Sequence, residues 1–197
     1  MMHLPTRTLT ALAVLAVVTP ACSTDDGRQM QRPLTTDVAT IGSTPNTQAT
    51  DSGWTLTAPW EDGAEVNVRY TCDGEGVSPP LVWTPGPEMT RAYGVVLAVA
   101  DEPDTILWAM ADIPSQTRNL VEGLAPEGAI SAVNSSGTLG YQPPCPNVGE
   151  SQEFELSVYA QQFPIELPQG SPAIDVAVAL DNDALEIVTT RFSYQRR

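Results

Sequence analysis

A mostly β fold is predicted by three features of this sequence. Apolar residues recur at every second position in two segments, one apolar run is continuous over strand length, and Pro- and Gly-rich turns separate them. Trp54 to Ala58 and Val66 to Tyr70 are short runs of extended character. Tyr93 to Ala100 (YGVVLAVA) has no polar face, as a strand buried on both sides requires. From Phe154 to Ala160 the side chains alternate, with Phe154, Leu156 and Val158 on one face and Glu155, Ser157 and Tyr159 on the other. Val188, Thr190, Phe192 and Tyr194 repeat that period. Turns fall at Pro79-Pro80, Pro85-Gly86-Pro87, Pro143-Pro144 and Gly170. Ala173 to Leu180 alternates like a strand but follows Ser171-Pro172, a cap and first-turn pair, and is assigned to a short helix. Strands with so few helices pack as a β-sandwich or a similar layered β domain.

The segment before this domain has a different chemistry. Met1 to Arg7 carries one His and one Arg, and Thr8 to Val18 is apolar and uncharged, the length of a signal-peptide core and too short for a membrane-spanning helix. Thr19, Pro20 and Ala21 then precede Cys22, which places a leader at 1–21 with Cys22 as a lipidation site. An ordinary signal peptide cut near Ala21 is the alternative, since Thr19 stands where such signals usually carry Leu. Residues 22–52 are mostly Ser, Thr, Asp, Gln, Asn and Gly, too polar to offset the entropy of ordering, and read as a flexible tether. Residues 53–197 are 145 in number, enough for one hydrophobic core. No second apolar run is long enough to cross a bilayer, so lipid would be the membrane anchor of an exported, envelope-facing domain, with secretion as the alternative.

Composition then narrows the chemistry. The single His is His3 and Lys is absent, so a mature chain would carry eight Arg against 24 acidic residues. A polyanion would be repelled instead of releasing counterions, which excludes nucleic acid as a partner.

The order of several motifs resembles the bacterial YbhB/YbcL branch of the phosphatidylethanolamine-binding proteins, also called Raf-kinase-inhibitor-like. The motifs are RYTCDGEGVSPPLVW at Arg69 to Trp83, DEPD at Asp101 to Asp104, Trp108, DIP at Asp112 to Pro114, and GYQPPCPN at Gly140 to Asn147. The resemblance implies a central antiparallel sheet with a smaller second one, few helices, and a small cavity for phosphate-like anions or lipid head groups. Carried over position by position, it points to Glu102, Asp104, Trp108, Tyr141 and Gln152 as ligand-binding residues. It also exposes departures. Leu107 stands where a His usually precedes the tryptophan, Gln152 replaces a second His, and Pro143 replaces a glycine of the pocket loop. Carboxylates without a cation suit a doubly charged phosphate poorly, unless backbone N–H groups or an Arg, with Arg69 and Arg118 as candidates, make up the difference.

The resemblance sets Cys72 and Cys145 in loops at that cavity, and with Cys22 lipidated they form an even pair, expected as a disulfide in an oxidising compartment. A thiol nucleophile would need a neighbouring base, and the mature chain has no His or Lys to supply one. A Ser-His-Asp arrangement fails for the same reason. Asp101, Glu102 and Asp104, with Asp73 and Glu75, match no calcium-loop order and are expected to cap turns. Neither a metal nor another cofactor is expected. The function expected is a non-enzymatic binding module for a small ligand; the alternative is a protein-interaction or inhibitor module acting through its surface.

Overall fold

The structure, a computed structural model, describes residues 45–197. The expected leader, Cys22 and the tether as far as residue 44 lie outside them. Among the described residues, nine strands form two antiparallel sheets. Strands β1 (Asn46–Ala49), β2 (Thr55–Ala58), β3 (Leu81–Trp83) and β6 (Asn119–Leu120) make a four-stranded sheet in the order β1-β2-β3-β6. Strands β4 (Ala92–Val99), β5 (Glu102–Pro114), β7 (Ile130–Ser131), β8 (Ser151–Gln161) and β9 (Ala184–Gln195) make the larger one in the order β7-β5-β4-β8-β9. The single α-helix among the described residues, α1 (Ala173–Asp183), packs on the outer face of the larger sheet.

Sandwiching explains the pattern of β4. Leu97, Val95 and Tyr93 face the smaller sheet, where they join Trp54, Leu56 and Leu81, all at most 3% exposed. Val96 faces the other way, into a second cluster with Ile106, Ala109, Val176 and Leu180. Gly94 permits the helix to approach: a Cβ there would overlap the Leu180 side chain, with Cδ1 at 2.8 Å. Each large apolar side chain buried in this way stabilises the fold by about 1.5–3 kcal/mol.

Two expectations about local structure are corrected. Val66 to Tyr70 is not a strand: Asn67 Oδ1 accepts from Arg69 N at 2.9 Å and winds Val68–Tyr70 into a 3₁₀ turn. Residues 46–49, assigned to the tether, pair as β1 with β2, Gln48 opposite Leu56. Polar composition hid this strand because it lies at the sheet edge and alternates between exposed and half-buried positions. Helix α1 forms where expected, but Ser171 does not cap it. Its hydroxyl donates to Pro168 O at 2.8 Å, and Pro172 occupies the cap without a side-chain bond.

Strand β5 was not anticipated in full, and its pairing with β4 carries three register shifts, the last between Ala98 and Val99. The β4–β5 register steps from Leu97 opposite Trp108 to Ala98 opposite Ile106, leaving Leu107 as an extra residue. Leu107 and Trp108 therefore both enter the core between the sheets, whereas Ile106 and Ala109 face the helix. A second shift lies between Tyr93 and Val95. There Asp112 adopts φ 54°, and its Oδ1 accepts from Ile165 N at 2.7 Å, fixing the segment that leads to α1.

Candidate functional site

Where β5 meets the loops after β6 and β7, a cavity of about 230 Å³ opens. Trp108 and Met110 reach it from alternate positions of β5, and Tyr141 closes it from the glycine- and proline-rich loop. The Trp108 and Tyr141 rings meet edge to face, 5.6 Å between centroids and 90° between planes. Ser78, Ser131 and Leu139 complete much of the wall. None of the residues that line the cavity carries a charge.

Tyr141 is fixed from outside the cavity. Its hydroxyl donates to Tyr70 O at 2.6 Å, and burial pushes its phenol well above the ordinary range, so it stays neutral. Three further links join the same two loops. Cys72 N donates to Pro144 O at 3.2 Å, Cys72 and Cys145 form the expected disulfide with Cα atoms 5.4 Å apart, and Gly76 abuts Pro143. A Cβ on Gly76 would stand 3.4 Å from Pro143 Cγ, and its φ of +65° suits glycine. The proline that departs from the expected glycine thus packs against the neighbouring loop.

The five residues read from the sequence do not converge. Trp108 and Tyr141 share the cavity; Glu102, Asp104 and Gln152 lie elsewhere. Glu102 is exposed at the start of β5, where it accepts from Thr105 Oγ1 at 3.2 Å. Glu102 to Asp104 are exposed strand residues, the turn lies just before them, and neither carboxylate lines the cavity beside Trp108. Asp104 edges a separate groove beneath α1. Gln152 pairs with Tyr194 across β8 and β9 and lines a polar hollow of about 700 Å³ with Asp101, Asn147 and Arg191. Leu107 is 5% exposed and packed in the core. Among the described residues, no group of three or more His, Cys, Asp or Glu is arranged to hold a metal.

Neither candidate arginine supplies the missing charge. Arg69 is held by Glu122 at 2.6 Å and by Glu75; the Glu122 bond raises the guanidinium and holds the carboxyl below its usual range. Arg118 stacks over the Tyr93 ring at 5.6 Å and donates to Thr117 O at 2.8 Å, partners that do not line the cavity.

Sequence reasoning missed Ser78, Met110, Ser131 and Leu139. Met110 was within reach, since it lies two residues beyond Trp108 on one strand face. Ser78 belongs to the quoted Arg69 to Trp83 motif. Ser131 and Leu139 come from loops whose path only the fold defines.

The comparisons agree with this architecture. The family model described as phosphatidylethanolamine-binding protein matches residues 57–195. A UPF0098 protein of Methanothermobacter thermautotrophicus is 33% identical over 136 residues, covering 66% of this chain and 89% of that one. LppC of Mycobacterium tuberculosis, whose name marks it as a candidate lipoprotein, is 29% identical over 184 residues, covering 88% and 89%. YbcL of E. coli superposes with a TM-score of 0.66 at 21% identity, covering 72% of this chain and 98% of that one. A phosphatidylethanolamine-binding protein homologue from Chlamydia trachomatis gives 0.61 at 23%, covering 70% and 94%. With two antiparallel sheets, the Trp108–Tyr141 cavity and a family match over most of its length, this chain belongs to the phosphatidylethanolamine-binding protein family.

Proposed function

We propose that the protein is a non-enzymatic, envelope-tethered binding module whose cavity beside Trp108 and Tyr141 takes a small uncharged group. The observation that carries this reading is the wholly neutral lining of that cavity. A phosphate would leave water for a site with no cation facing it, whereas a hydroxylated or carbonyl-bearing head can bond to Ser78 and Ser131 and rest on the aromatic edge. Its volume, about 230 Å³, lies below the roughly 300–1,000 Å³ usual for drug-sized ligands, which favours a head group over a whole lipid.

Binding without turnover is supported by the side chains present. The only imidazole is His3, in the expected leader, and the Tyr141 proton is already donated to Tyr70 O. Tethering is supported by the alignment with LppC, which covers more of the chain than residues 45–197 make up and so reaches into the segment that contains Cys22.

Calorimetric titration of the full chain with a monoacylglycerol and with inorganic phosphate tests the reading. Saturable binding of the first, weakened at least tenfold by Trp108→Ala, is the expected result. Tight phosphate binding lost on Tyr141→Phe, or turnover of a defined compound, would sink it. A second reading, a protein-interaction module, is favoured by one specific feature, the groove beside α1, where exposed aliphatic side chains adjoin carboxylates.

A further inference from the structure

On the opposite face of the larger sheet from Trp108, α1 covers only part of the strands. Beside it runs a groove of about 520 Å³, within the range of binding sites. Val96, Ala98 and Ile106 form its floor. Its helix wall is a stripe at the spacing of one helix face: Ile174 and Val178, 40% and 50% exposed, then Asp181 one turn on. Ile187 of β9, 40% exposed, faces them across the groove. The floor residues Val96 and Ile106 are buried, so Ile174, Val178 and Ile187 make the uncovered aliphatic rim, adjoining side chains of the kind that mark an interaction site.

Charge identifies the partner. Three carboxylates border the apolar floor from three different elements: Asp104 from β5, Glu155 from β8 and Asp181 from α1. Glu155 is paired with Arg191 at 2.7 Å, which leaves Asp104 and Asp181 facing the groove without a basic partner there. Asp181 also stands in the last turn of α1, which has no basic residue. A carboxylate there opposes the partial negative charge of the helix C-terminus, so the fold carries it at a structural cost. Burial first, and then the Asp181 and Glu155 carboxylates, push the Tyr159 phenol on the groove wall upward, in keeping with a negative field directed into the groove.

We infer that this groove docks a basic amphipathic peptide segment of a partner protein, aliphatic side chains on Ile174, Val178 and Ile187, and Lys or Arg on Asp104 and Asp181. The inference rests on the protein-interaction reading and does not involve the Trp108 cavity. Carboxylates on separate elements fit several cations along a peptide better than the single cation of a small amphiphile. The formal net charge of −15 speeds the encounter but does not choose the site.

The test uses the full chain and a fluorescent 14-residue Leu/Lys peptide with leucines at helical spacing, followed by anisotropy. One peptide should bind per protein. Affinity should fall at least tenfold for Asp104→Asn with Asp181→Asn, and again for Val178→Ser. It should be unchanged for Asp51→Asn with Glu127→Gln, which removes the same charge elsewhere, and for Trp108→Phe, which separates this inference from the cavity reading. Asp181→Asn should also raise the melting temperature without peptide, showing that lost binding is not lost folding. Equal binding of a Ser-for-Leu peptide, equal loss in both charge variants, or preference for dodecyltrimethylammonium over the peptide would overturn the inference.

Discussion

Removal of the Cys72–Cys145 bridge is the most quantitative test of how the cavity loops are held. The two residues are 73 apart in sequence, so the bond closes a long loop of the unfolded chain. Loop-closure entropy for that length is about 15 cal/mol/K, which corresponds to about 4.4 kcal/mol at 25 °C. For a domain of this size each kcal/mol shifts the melting temperature by about 2–4 °C, so Cys72→Ala with Cys145→Ala should lower it by about 9–18 °C. Calorimetry or denaturant unfolding of the double variant beside the oxidised parent measures this. Cys145 is exposed, so reductant should reach the bond and bring the parent to a similar stability. The local consequence is separable. Tyr141 keeps its bond to Tyr70 O, and Cys72 N its bond to Pro144 O, so the cavity should survive in the folded fraction. A loss under about 1 kcal/mol, with the parent unaffected by reductant, would refute the entropic reasoning.

Other substitutions probe separate parts of the fold. Gly94→Ala drives a methyl into Leu180 and should cost about 1–3 kcal/mol in chemical denaturation, whereas the same change at exposed Gly128, where no atom lies within 4 Å, should not clash and should cost only the backbone strain of its positive φ. Tyr141→Phe leaves Tyr70 O without its donor and should cost about 1–3 kcal/mol by the same measurement. Acid should destabilise the protein through Asp73 and Glu122. The Tyr194 hydroxyl at 2.5 Å, and then Arg196, hold Asp73 below the carboxylate range, and Arg69 does the same for Glu122. Their contribution is present above the unfolded-state values near pH 4 and is lost as pH falls through the depressed native ones. Asp73→Asn should therefore flatten the acid limb of a stability–pH curve, and an unchanged limb would count against the pairing. Asp112, raised mainly by burial, acts with the opposite sign: its protonated form is favoured in the fold, and that contribution is lost as pH rises through its raised value.

Much of the fold is legible in the sequence because alternation and burial are local signals. Phe154, Leu156 and Val158 face one core as their spacing requires, and the continuous apolar run of β4 marks a strand covered on both sides. The motifs from Arg69 to Trp83 and Gly140 to Asn147 mark the family, and of the five site residues that the resemblance implies, Trp108 and Tyr141 do meet at one cavity. The sequence by itself determined the fold class and the lack of any imidazole beyond His3, since these depend on residue identity and period alone, whereas the Cys72–Cys145 pair followed from setting Cys22 aside and from the family resemblance. Tertiary structure decided which side chains meet. One extra residue in β5 turns Leu107 and Trp108 into the same core, because side-chain direction in a strand reverses with every step of register, and Glu102 and Asp104 stay exposed at the start of that strand, outside the cavity. It also decided what the arginines do and where the helix leaves the sheet bare. Arg69 is neutralised by Glu122 and Glu75, and Ile174, Val178 and Ile187 border one groove, only through contacts between segments far apart in the chain, which no local pattern encodes.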